Sequence, residues 1–177
     1  AYGEETETGV RRRLPGLVPF GLLPRTGGDQ MLLFRQPLMR EVAYRGLTDR
    51  GRRQIHARLA RYLDAELDRV APNWLTLVAY HAFEAQMWAR AVEANLSLGR
   101  QAVRAYFAEQ ANQALTRVLD AADAGRLAVP AARFEAHSLI SETLTSLGRY
   151  DEALGHLVAA RAILQRVESR EGDGGGP

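Results

Sequence analysis

The chain contains no lysine: all 23 of its basic residues are arginine. That one absence removes the phosphate-gripping lysine of a Walker loop, the Schiff-base lysine and the phosphate-pairing lysine of a kinase from this chain. Cysteine is missing as well, so there is no disulfide framework, no thiol nucleophile and no cysteine-based zinc site. No apolar run of about 18 residues occurs, and no charged-then-apolar leader precedes a small-residue cleavage site. These absences fit a cytoplasmic protein with no membrane partner, which is the expected localisation. Aromatics are sparse at 7%. The chain opens on Ala1 rather than methionine, in a polar stretch, and is expected to be a piece of a longer protein.

What is present is ordinary globular composition over 177 residues, 46% apolar and 25% charged, with a formal net charge of only +2. The organising stretch runs from Leu32 to Leu63. In it Met39, Val42, Ala43 and Leu47 fall at helical spacing, and Ile55, Leu59, Leu63, Leu67 and Val70 repeat the stripe after a break near Gly51. Five further helices are expected to follow. One starts near Pro72 with Trp74, Leu75, Val78, Ala82 and Phe83; the next two carry Ala91 to Tyr106 and Ala111 to Leu119. Gly125 then stops a helix and Pro130 starts another, which runs to about Leu147; the last spans Tyr150 to about Val167. The expected organisation is a flexible segment over 1–13, a wing-like β-hairpin or irregular segment over 14–35, a helical domain over 36–168 and a disordered glycine-rich tail over 169–177. The fold class is all-α.

The most specific local pattern is Leu147-Gly148-Arg149-Tyr150-Asp151-Glu152-Ala153-Leu154. Gly148 suits the left-handed residue that ends a helix, Tyr150 can fill the gap between two helices, and Ala153 lets them cross closely, with Leu157 and Ala160 on the same face. This pattern resembles a tetratricopeptide repeat of about 34 residues, spanning roughly Phe134 to Val167. Trp88 to Glu93 and Glu109 to Leu115 look like weaker copies, although Ala91, Ala111 and Ala153 are separated by 20 and 42 positions. The implied architecture is a short superhelix of antiparallel hairpins sharing a continuous core. By carry-over from the first-helix positions of that repeat, Glu135, Ser138, Glu142 and Thr145 would line a binding groove.

A second resemblance lies nearer the start. Phe34-Arg35-Gln36-Pro37-Leu38-Met39-Arg40-Glu41-Val42-Ala43-Tyr44, then Arg52-Arg53-Gln54-Ile55-His56, looks like the segment after the nucleotide-binding core of STAND-type signalling ATPases. In that family a winged-helix piece precedes this segment and tetratricopeptide repeats follow it, and nucleotide cyclase, kinase or LuxR-type DNA-binding domains occur alongside. The family's usual histidine and alanine after F-R are here Gln36 and Pro37. The resemblance implies a non-catalytic sensor or protein-interaction arm of a larger bacterial regulator. Its partners would be other domains of the parent protein and a peptide, partner protein or inducer.

The arginines around Arg45, Arg50, Arg52, Arg53, Arg58 and Arg61 allow three readings. They can form a solvated face, a contact to another domain involving Tyr44, Arg45, Arg52 and Arg53, or a nucleic-acid surface. Asp49, Asp64, Glu66 and Asp68 lie close by and disfavour the last. His56, His81, His137 and His156 are far apart and none shows the spacing of a two-ligand helix, so no metal and no cofactor is expected. The carboxylate pairs sit in a tail or at a helix start, which gives no acid/base dyad. An arginine-rich nucleic-acid-binding module and a free-standing dimerising adaptor are the alternatives to the sensor arm.

Overall fold

The computed structural model describes residues 36–65 and 74–173, with Arg12, Gly16 and Phe34 in addition. Apart from those three residues, the expected flexible segment and β-wing lie outside the described residues, as do Leu67, Val70 and Pro72. Among the described residues the protein is all-α, with seven helices. They are α1 (Pro37–Arg45), α2 (Asp49–Ala65), α3 (Trp74–Glu84), α4 (Trp88–Arg104), α5 (Ala108–Ala124), α6 (Pro130–Ser146) and α7 (Tyr150–Asp173). None of these helices is long and apolar enough to cross a membrane.

The chain divides into two compact units, Ala1–Gly51 and Arg52–Pro177. In the first, Pro37 opens α1, where a missing N–H costs no helical hydrogen bond. No residue of α1 is buried, and Val42 is 59% exposed. Of the apolar stripe read from the sequence, Val42 and Ala43 are exposed and Met39 is half-buried, while Leu47, also half-buried, lies past the end of the helix.

In the second unit consecutive helices pack on one another from α3 to α7, and α4 also touches α6. Four of the connections share one hydrogen-bond pattern. Met87 N–H donates to the Ala82 carbonyl, Phe107 to Ala102, Leu127 to Ala122 and Arg149 to Leu144. Each pattern requires a left-handed residue just past the helix, and Gln86, Tyr106, Arg126 and Gly148 supply it with φ of 59°, 59°, 50° and 73°. Only the last is the glycine that the sequence advertises. The other three hold non-glycine residues in a conformation that costs about 1 kcal/mol or more each, offset by the capped carbonyls and the packed helices they join.

These turns explain the spacing of the alanines. Ala91, Ala111 and Ala153 are each the fourth residue of their helix, so the first two are separated by one helix and its turn and the last two by two helices and their turns. Equivalent helices, α4 and α6 or α5 and α7, start 42 residues apart. That is longer than the tetratricopeptide period of about 34.

Small residues bring the helices close. Ala91, Ala111, Ala121, Ala122 and Ala136 are fully buried beside Leu115, Val118 and Ile140. Each of the three large side chains contributes about 2 kcal/mol by leaving water. Gly99 lies against Leu115, and Gly125 against Trp88, which in turn meets Phe83 edge-on at 5.6 Å. Not every aromatic is packed this way: Tyr106 and Phe107 stand in the α4–α5 turn at 94% and 59% exposure.

Two faces differ from the sequence reading. On α2 the buried residues are His56, Ala60 and Leu63, while Ile55 and Leu59 are exposed, so the face is turned by one position. On α7 the stripe against α6 runs through Ala153, His156 and Ala160, whereas Tyr150 and Leu157 are exposed. The helix also continues past Val167 to Asp173, with Ser169 donating its hydroxyl to the Gln165 carbonyl. Glu168 to Glu171 include good helix formers and contain no glycine or proline to stop it. Gly174 to Pro177 lie outside the described residues.

Candidate functional site

The four groove residues expected from the sequence lie on one face of α6, three or four positions apart. The structure adds a partner from another helix. Arg100 of α4 donates from Nε and Nη2 to the two carboxylate oxygens of Glu135, the second at 2.6 Å. These hydrogen bonds hold the Glu135 carboxyl below the usual carboxylate range and raise the Arg100 guanidinium. Ser138 and Thr145 donate their hydroxyls to the carbonyls one turn back, Phe134 and Ser141, which keeps both oxygens available as acceptors. Glu142 and Thr145 are exposed. Arg104, one turn beyond Arg100, is exposed too. Chemically this face offers a fixed bidentate ion pair, further charge of both signs and hydroxyl acceptors, which suits hydrogen bonding to a polar chain.

The expected interdomain residues divide between the two compact units. Tyr44 and Arg45 belong to the first, where Arg45 pairs with Glu41 one turn back at 2.8 Å. Arg52 and Arg53 belong to the second, where Arg53 donates to Gln86 at 2.8 Å beside the α3–α4 turn. Other arginines also tie helices together. Arg90 clasps Asp64 of α2 through Nε and Nη2 at 2.9 and 2.6 Å, and Arg133 bonds Asp123 of α5. Arg58 and Arg61 are exposed.

The histidines form an arrangement that sequence spacing does not announce. His56 of α2 and His81 of α3 place their Nδ1 atoms 2.8 Å apart, with Tyr80 edge-on to both rings. His137 of α6 and His156 of α7 do the same at 2.9 Å. In each pair one nitrogen must donate and the other accept, so at least one Nδ1 in each pair carries no proton. Burial is the main reason that His81, His137 and His156 all titrate below the ordinary histidine value; the neighbouring His56 adds to it at His81, and His156 with Arg133 adds to it at His137. The partners lie 25 and 19 residues apart in sequence, so no short motif could reveal them. Among the described residues no group of three or more metal-ligating side chains is gathered.

No protein-family model matches the chain, and searches of curated proteins and of solved structures return no match.

Proposed function

We propose that the chain is a non-catalytic, tetratricopeptide-like interaction or sensor arm of a larger bacterial signalling or transcription-regulating ATPase. The observation that carries this reading is the contact between α4 and α6. The first helices of two successive hairpins meet through Arg100 and Glu135, which makes one continuous mixed-charge face out of non-adjacent helices. A partner peptide or protein docks on that face, with Glu142 and Thr145 as its exposed contacts, and biases the domains upstream. The link to a STAND-type parent rests on the Phe34 to Tyr44 and Arg52 to His56 motifs.

The test uses the product of the complete reading frame. Glu142→Arg with Thr145→Arg reverses charge and adds bulk on the face without touching buried residues. The variant should retain the helical signal of the wild type and change the regulated activity of the parent by about tenfold, the scale of one lost charge-assisted contact. A variant that regulates as the wild type does would remove this face from the mechanism.

A dimerising adaptor is the second reading, favoured by α7. Tyr150, Leu154, Leu157 and Val158 form an apolar stripe with exposures of 67%, 60%, 52% and 61%. Such a stripe is expected to be covered by another surface. Sedimentation of the wild type and Leu157→Arg separates the two: a dimer that the substitution abolishes supports the adaptor, and a monomer at all concentrations rejects it.

A further inference from the structure

A cavity of about 240 Å³ lies between the α5–α6 connection, the start of α6 and the C-terminal half of α7. Leu127, Val129, Ile163 and Val167 give it apolar walls, and Arg133 and Arg166 are its two charged lining residues. Helix α6 begins at this cavity, with Pro130 in its first turn and no side chain capping its N-terminus. The positive end of the helix therefore adds to two guanidinium groups on the same lining.

We propose that this cavity binds a small amphipathic anion: a carboxylate with a short apolar tail. Three features select that class. The walls are apolar, so they favour a hydrocarbon or aromatic body over a sugar or a free phosphate, whose polar groups would go unpaired there. Both charged residues on the lining are cationic, and planar guanidinium groups match a carboxylate in two-point geometry. The volume falls below the common range of about 300–1,000 Å³ for drug-sized ligands, which limits the occupant to roughly ten to fifteen heavy atoms.

The two arginines have different duties. Arg133 already donates to Asp123, which fixes its position on the cavity wall and offsets part of its charge. Arg166 is exposed on α7 and supplies the less compensated charge. The carboxylate is placed against Arg166 and the start of α6, with its tail between Leu127 and Ile163. This site is independent of the α4/α6 face. Failure of one leaves the other standing.

Octanoate is a suitable probe, titrated by calorimetry and by amide NMR against the full chain. A ligand of about ten heavy atoms at modest efficiency is expected to bind with a Kd of about 0.1–1 mM. Shifts should concentrate at Leu127 to Arg133 and at Ile163 to Val167. Arg166→Gln should weaken octanoate about fivefold to tenfold while leaving octanol, the uncharged analogue, unchanged. Ala128→Phe, a loop substitution that fills the cavity and leaves the helices alone, should abolish binding of both. No shift at these residues up to about 5 mM octanoate would overturn the assignment, as would equal affinity for octanol and octanoate.

Discussion

Gly99→Ala is expected to destabilise the protein by about 2 kcal/mol, a sign opposite to the usual gain from replacing a helical glycine by alanine. A Cβ on Gly99 would stand 2.4 Å from Cδ2 and 2.6 Å from Cγ of Leu115. The leucine has no room to retreat, because it is fully buried between α4 and α5. The added methyl therefore forces either an unfavourable leucine rotamer or a separation of the two helices. Leu115→Ala on its own should cost about 3–4 kcal/mol by leaving a cavity in the same place. The informative experiment is the double substitution. With Leu115 shortened, the atoms that exclude the new Cβ are gone, so Gly99→Ala should become neutral or stabilising and the two costs should fall short of additivity by at least about 1 kcal/mol. Urea denaturation of the four proteins measures this. Full additivity would mean that α4 and α5 do not meet at these residues.

The second large effect is a loss of stability in mild acid. His81, His137 and His156 are held below the ordinary histidine value of about 6.5, chiefly by burial. Protons therefore bind the unfolded chain more readily than the folded one. The stability contributed by these residues is complete above about pH 6.5 and is lost as the pH falls through the folded values. Two pairs act together, since each couples a pair of helices through one Nδ1 contact. Their surroundings modify the effect without reversing it. Glu84 favours the charged form of His81, Asp123 that of His137 and Glu152 that of His156, while Arg133 opposes it at His137. The melting temperature should drop by several degrees between pH 7.5 and pH 5.5. A His81→Gln, His137→Gln protein should show a clearly shallower pH dependence. The same slope in both proteins would place the acid sensitivity elsewhere.

How far the sequence disclosed this molecule varies by residue type. Helices were legible because their stripes of Leu, Val and Ala repeat at helical spacing, and Pro37 and Pro130 do mark helix starts. The Gly148 turn was legible for a physical reason: glycine is the residue that takes positive φ freely. Gln86, Tyr106 and Arg126 hold the same conformation and were not, because nothing in a glutamine, tyrosine or arginine announces it. The turned face of α2 has a similar origin. Ile55 and Leu59 are the more hydrophobic candidates, but the contact of His56 with His81 puts the histidine inward. On α6 the spacing of Glu135, Ser138, Glu142 and Thr145 could be read from helical period alone. The partner of Glu135 could not, since Arg100 lies 35 residues earlier on another helix. The cavity beside Arg166 was hidden for the same reason, as its walls come from two segments, Leu127 to Arg133 and Ile163 to Val167, far apart in sequence.

The proposal that this chain serves a larger regulator is tested most directly by the sequence of the reading frame on both sides of it. If the proposal holds, a nucleotide-binding ATPase core lies upstream and a cyclase, kinase or DNA-binding domain lies in the same frame. A start codon immediately before this chain, with no ATPase core in frame, would contradict it and leave the α7 dimer as the better account.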